Sequence, residues 1–228
     1  MPNNQTFFEV NNSLGLSTLS DAINLFKKKL DGAPGTFIQV GAHEGGGDAV
    51  GRNIDFSLWS GVLVEPHPLY FDRLAKKYEK FSKNIGFLNA AISSTEGQLD
   101  LHYVPEELAP ISWARCINTI DPSKGRINEF EELVETCKVS VYTIPSIQEK
   151  YQLTEVDILF VDTEGHDFEV IKGIRMDRSK PKIIHFEDRH LSCEELDQCV
   201  GFLARHGYSL FIEPHPNDAT AYLANELC

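Results

Sequence analysis

Glu187, Asp188 and His190 fall within one short run, EDRH, and Asp162 and Glu164 flank a single threonine. A carboxylate beside an imidazole is standard equipment for taking a proton from a hydroxyl. Asp162 follows the apolar run ILFV and Glu187 follows IIHF, so both acids leave buried strands where a solvated surface acid would be out of place. Glu187 is the first choice for a general base, assisted by His190, with Asp162 and Glu164 facing the reacting centre. A metal alternative uses the same strand ends, since Asp162 with Glu187 and Asp188 offers the hard oxygens that Mg²⁺ prefers; the base reading is preferred and no metal ligand is assigned. Asp167 reads as a helix-capping acid. His185 shares the face of Glu187 and reads as a core histidine with its hydrogen bonds satisfied.

A second group of residues could hold a cofactor. TFIQVGAHEGGG, from Thr36, is an apolar strand entering a turn with Gly41 and Gly45, and GVLVEPHP ends a second strand in Glu65, twenty positions beyond Gly45. Glycines let backbone pass close to a ligand, and a carboxylate on the next strand can accept hydrogen bonds from a ribose diol. A dinucleotide fold needs G-x-G-x-x-G facing a pyrophosphate. His43 replaces the middle glycine, so a dinucleotide-linked oxidoreductase is disfavoured and an S-adenosylmethionine pocket, which has no phosphate to cradle, is favoured. A non-catalytic module retaining the pocket is the alternative from another class, with His43 as its hint.

These residues need a scaffold that aligns strand ends. Apolar runs place strands at 36–41, 61–65, 85–93, 156–162, 182–187 and 208–212, with helices at 69–82, 166–173 and 193–206 between them. An amphipathic helix over Ser17–Leu30, capped by Ser17 or Ser20, precedes the first strand. The alternation defines a doubly wound, mostly parallel α/β sheet in one domain, 1–228, with an N-terminal helical segment, 1–35. A final strand at 219–223 pairs antiparallel with 208–212 at the sheet edge. Ligands in such sheets sit beyond the carboxyl ends of the strands, which draws Gln39–His43, Glu65, Asn89–Ala91, Asp162–Glu164 and Glu187–His190 into one shortlist. Residues 105–137 interrupt the alternation between extended runs at 97–104 and 138–143. They form either a substrate lid carrying Trp113 and Arg115 or a small helical excursion packed on the sheet edge. The tetrapeptide EPHP occurs at 65–68 and 213–216 and is taken as coincidence at two strand ends.

The chain has 228 residues and a net charge of −13, from 34 acidic and 21 basic side chains. That balance repels a phosphate backbone, so the expected acceptor is a small molecule or a glycan and not a nucleic acid. The lysines at 27–29 complement a helix C-terminus. No apolar run is long enough for a membrane span and no signal peptide precedes the first helix, giving the expectation of a cytoplasmic protein. Five cysteines without a C-x-x-C pair read as reduced thiols.

The segments FIQVGAHEG, GVLVEPHPLYFDRL, NAAISSTEGQLDL, VDILFVDTEGHDFEVIKG and PKIIHFEDRHLS resemble, in order, the landmarks of FkbM-type methyltransferases over about residues 36–213. DTEGHDFEVIKG is the most specific of them. The resemblance implies a class I, Rossmann-like fold and S-adenosylmethionine-dependent transfer, mostly to oxygen. It implies that Gln39, Gly41, Ala42, His43 and Gly45 line the amino-acid side of the cofactor, that Glu65 holds the ribose, that Asn89 and Ala90 lie at the adenine, and that Asp162 faces the sulfonium or the acceptor. His43 stands where the family usually has Asn, where it either donates to the cofactor or narrows the pocket.

Overall fold

The computed structural model describes residues 11–46, 49–213 and 218–228. Its elements in chain order are α1 (Leu19–Leu30), β1 (Thr36–Val40), α2 (Ala49–Asn53), β2 (Ser60–Val64), α3 (Pro68–Tyr78), β3 (Ile85–Leu88), β4 (Ala91–Ile92), β5 (Gly97–Tyr103), β6 (Asn118–Thr119), β7 (Glu135–Tyr142), α4 (Ile144–Lys150), β8 (Ile158–Val161), α5 (Asp167–Lys172), β9 (Ile183–Glu187), α6 (Cys193–Arg205), β10 (Ser209–Glu213), β11 (Asp218–Tyr222) and α7 (Ala224–Leu227).

The main sheet has the order β10-β11-β9-β8-β1-β2-β3. Its central strands pair in parallel. β1, β2 and β8 are buried along nearly their whole length, as parallel strands covered on both faces must be. The antiparallel pairing of β10 and β11 is as expected, but β11 lies one place in from the edge. It is wedged between β9 and β10, antiparallel to both, and β10 is outermost.

Two apolar clusters cover the faces of this sheet. One gathers Ile38, Val64, Leu159, Val170, Ile184 and Leu203, and the other gathers Ile23, Phe26, Phe37, Trp59, Leu63 and Phe160. The parity of neighbouring strand residues separates them, because alternate side chains point to opposite faces. The second cluster seats α1. That helix begins one residue after Thr18, whose side chain accepts from the Asp21 N–H, so Thr18 is the N-cap and not Ser17 or Ser20. The last turn carries Lys27, Lys28 and Lys29, as the macrodipole favours.

The run expected as a single strand at 85–93 divides at Asn89. Its Nδ2 donates to the carbonyls of Glu65 and Pro66, both at 2.9 Å, and this turns the chain out of the main sheet. β3 stays beside β2, whereas β4 joins a second sheet of order β4-β7-β5-β6. α4 was not anticipated from the sequence. It starts at a capping box in which Thr143 and Ser146 satisfy each other's backbone N–H groups, with Pro in the first turn. The residues of the first EPHP open α3; Pro214, His215 and Pro216 of the second, like residues 1–10 of the N-terminal segment, lie outside the described residues. All five cysteines are free thiols. Among the described residues no helix is long and apolar enough to cross a membrane.

Candidate active site

Beyond the carboxyl ends of β1, β2 and β8 lies a cavity of about 420 Å³, within the range that holds a nucleoside-sized ligand. Its floor is the turn after β1. Gly41 has φ +81°, and a Cβ there would lie 1.7 Å from the Asp162 carbonyl oxygen, so only glycine lets β1 leave the sheet this close to β8. His43 also has positive φ, at 48°. Its strained backbone is held by the Glu65 carboxylate, which accepts from the His43 N–H at 2.7 Å on one oxygen and from the His67 N–H at 2.8 Å on the other. Burial pushes the Glu65 carboxyl up to about 7, against the opposing pull of those two N–H groups. Each oxygen keeps a second lone pair for a ligand donor.

The rings of His43, Tyr70, His67 and Tyr103 form a chain of contacts at 3.9, 4.7 and 4.4 Å beside this turn. Burial lowers the pKa of both histidines, leaving them neutral at physiological pH. His43 Nε2, His67 Nδ1 and Asn118 Oδ1 are shielded from solvent without a hydrogen-bond partner.

Of the residues expected at the cofactor, Gly41, Ala42, His43, Gly45, Glu65 and Asp162 line the cavity. Gln39, Asn89 and Ala90 are not among the lining residues. Gln39 is 6% exposed within β1, and Ala90 is fully buried. Asn89 is spent on the turn described above, and the chain it redirects brings Ala91 and Ile92 to the cavity. Asp162 and Glu164, expected at the reacting centre, both line it. Glu187 and His190 stand behind Glu164. His190 Nε2 is 3.1 Å from Glu164 Oε2 and 3.7 Å from Glu187 Oε2. Burial, followed by the charges of Asp162, Glu164 and Asp167, pushes the Glu187 carboxyl up to about 9. Both causes favour its protonated form while the site is empty.

Asp167 sits at the start of α5, fully buried, with Oδ2 accepting from Thr163 Oγ1 at 2.8 Å and the Gly165 N–H at 3.3 Å. It closes the β8–α5 turn, in keeping with a structural role. His185 is a satisfied core residue, with Nδ1 2.9 Å from Thr220 Oγ1. Asp188, offered with Asp162 and Glu187 as a Mg²⁺ set, is not part of the convergent donor group among the described residues, which is Glu164, Glu187 and His190, with one ligand atom from each lying within 4.8 Å of the others.

Residues 105–137 carry two short 3₁₀ segments, at Ala114–Cys116 and Ile127–Leu133, and β6. Val104, Ile117 and Ile127 form a small core of their own there, joined by Trp113 and Phe130. Trp113 packs inside it, with the Arg126 guanidinium 3.6 Å from its ring, and does not face the cavity; Arg115, Asn118 and Ile120 do. A ring of four charges fastens this segment to the cofactor turn. Arg73 contacts Glu44 at 3.2 Å and Glu106 at 2.6 Å, while Arg115 contacts Glu44 at 3.2 Å and Glu106 at 2.8 Å. On the far side Thr119 Oγ1 donates to the Glu164 carbonyl at 3.3 Å and Lys124 Nζ donates to that of Gly165 at 3.2 Å. The sequence offered no signal for the ring, whose members are drawn from three separate regions.

A sheet of this strand order, with a glycine turn after β1 and an acid after β2 opening on one cavity, is a class I methyltransferase fold. The chain belongs to the FkbM methyltransferase family, whose domain model, described as "Methyltransferase FkbM domain", matches residues 39–224. It is an S-adenosylmethionine-dependent methyltransferase, and the dinucleotide alternative falls with that assignment. No curated protein matches the chain. Among solved structures it is similar to a precorrin-6y C5,15-methyltransferase from Geobacter metallireducens, at 13% identity and TM-score 0.43 over 94% of this chain and 96% of that one. An rRNA methylase from Streptococcus thermophilus shares 9% identity, with TM-score 0.45 over 89% and 94%. The N-terminal domain of human METTL16, solved with S-adenosylhomocysteine, shares 12% identity, with TM-score 0.45 over 89% and 67%.

Proposed function

We propose that the protein methylates a hydroxyl oxygen of a small molecule or glycan. The observation that carries this reading is Glu164, which lines the cavity and is also in contact with His190. S-adenosylmethionine supplies an activated methyl group that departs from sulfur as the acceptor oxygen bonds to it, leaving S-adenosylhomocysteine and one proton to remove. Glu164 takes that proton, with His190 Nε2 3.1 Å from its Oε2 to share the charge, and Glu187 lies behind them. Alignment of the reacting atoms and removal of the proton are the two tasks left to the protein.

The Gly41–Gly45 turn would hold the amino-acid end of the cofactor, Glu65 would accept from the ribose diol through its remaining lone pairs, and Ala91 and Ile92 would flank the adenine. Residues 105–137 cover the cavity as a cap. The net charge of −13 favours a neutral or cationic acceptor over a polyanion.

Calorimetry tests the cofactor reading. S-adenosylmethionine and S-adenosylhomocysteine should bind, and NAD and ATP should not; NAD binding with no response to S-adenosylhomocysteine overturns it. Incubation with cofactor and a metabolite extract, followed by mass spectrometry, should reveal a product heavier by one methylene on oxygen. A product methylated only on nitrogen or carbon overturns the choice of acceptor atom.

A further inference from the structure

Glu164 reaches the cluster from the β8–α5 turn, Glu187 from the end of β9 and His190 from the loop before α6. Two segments far apart in sequence, the β8–α5 turn and residues 187–190, thus aim two carboxylates and one imidazole at a common point, with Nε2 3.1 and 3.7 Å from the two carboxylate oxygens. Cis ligands of an octahedral ion with bonds of about 2.1 Å lie roughly 3 Å apart, so this spacing needs little movement to close on an ion.

The surroundings favour an occupant. Glu187 Oε2 points into the group, shielded from solvent and without a hydrogen-bond partner, a costly state for a buried carboxyl oxygen in either protonation state. The His190 side chain is 9% exposed, so the ring is enclosed and does not rest on the surface. Gly125 and Gly165, both with positive φ, bring backbone against it: a Cβ on Gly165 would come within 3.3 Å of His190 Cβ, and one on Gly125 within 3.9 Å of Glu164 Oε2. Arg189, the cation beside Glu187, is 3.9 Å from its other oxygen, Oε1.

We propose that Glu164, Glu187 and His190 bind a divalent cation of the Mn²⁺ class at the edge of the methyl-transfer cavity. Mixed oxygen and nitrogen donors suit Mn²⁺ better than the all-oxygen preference of Ca²⁺. Three protein donors leave positions for water and, through the cavity side of Glu164, for an acceptor oxygen, whose proton the ion would make easier to remove. The role of the ion rests on the hydroxyl-transfer reading above; its binding does not.

The test uses the whole chain, stripped with chelator and titrated with Mn²⁺ alone, without cofactor or acceptor. Electron paramagnetic resonance should count one saturable ion per chain, and Mn²⁺ should broaden the His190 imidazole resonances before those of any other histidine. Glu164→Gln, Glu187→Gln and His190→Gln, each checked for folding by circular dichroism, should each weaken binding by more than about tenfold. The absence of saturable binding in the folded wild type overturns the proposal, as does binding that leaves His190 sharp or that survives all folded variants unchanged. The broadening measurement needs no variant, so misfolding of all three still leaves a decision. Failure here leaves the calorimetry of S-adenosylhomocysteine intact, and failure of the cofactor reading leaves the ion count intact.

Discussion

The two flanks of the cavity mouth are both built from charged side chains, yet they are opposite in balance. On the cofactor-turn flank Arg73, Arg115, Glu44 and Glu106 close a ring in which each carboxylate oxygen meets a guanidinium nitrogen. The hydrogen bond from Arg73 holds the Glu106 carboxyl below the usual carboxylate range. On the β8–β9 flank Glu164 and Glu187 share one histidine, with further negative charge from Asp162 and Asp167 acting on Glu187. Paired charges at a partly exposed surface fasten one piece of chain to another and do little else. Like charges crowded under partial burial raise the free energy of the empty protein, and they persist where something else, a proton or a cation, is to be received.

The largest test of that contrast falls on the crowded flank. Glu164→Gln should lower turnover by about 10²–10⁴-fold, the usual size of a lost proton-transfer function, while calorimetry finds S-adenosylhomocysteine affinity unchanged. Wild-type turnover on the acceptor would remove this flank from the chemistry and make it as structural as the other.

Glu65 supplies an intermediate case, a single buried carboxylate balanced only by two backbone N–H groups. Its folded pKa, about 7, lies above the unfolded 4.5, so its contribution to stability is fully present below about pH 4.5 and is lost as pH rises through about 7. The shift corresponds to roughly 3 kcal/mol, and urea unfolding across that window should show the slope. Glu65→Gln should abolish it. A ribose diol donates best to the ionised form, so cofactor affinity should rise over the same window; a flat profile for both would show that Glu65 does not titrate in the fold.

The smallest effect belongs to the ring. Raising the salt from about 0.1 to 1 M shortens the Debye length from about 10 to 3 Å. Amide exchange in residues 105–137 should then quicken while the sheet stays protected, and Glu106→Gln should reproduce the change at low salt. Turnover should move only a few-fold. A loss as large as that from Glu164→Gln would erase the distinction between the flanks.

Most of the sheet was legible because buried parallel strands read as continuous apolar runs, and strand-end acids stand out against them. Asp162, Glu164 and Glu65 reach the cavity for that reason. Legibility failed where a side chain redirected the backbone. Asn89 breaks an apolar run that continues through it, and the cavity is met by Ala91 and Ile92 instead of Asn89 and Ala90. It failed again where contacts join distant regions, as in the ring, and where a run looked like its neighbours, as in α4, marked by the Thr143–Ser146 spacing and Pro145 alone. That β11 sits inside β10 follows from pairing partners on both sides, which strand propensity does not encode.

The segment between β5 and β7 leaves their ladder at Tyr103 and returns at Glu135, and these two residues are partners in it, with Tyr103 Oη 3.2 Å from Glu135 Oε2. Whatever lies between them therefore begins and ends at one fixed point, and its apolar contacts are largely its own. Such a segment is a cassette. A change of length within it would leave the β5–β7 register in place, whereas Arg115, Asn118 and Ile120 in the cavity wall tie its sequence to whatever the cavity holds.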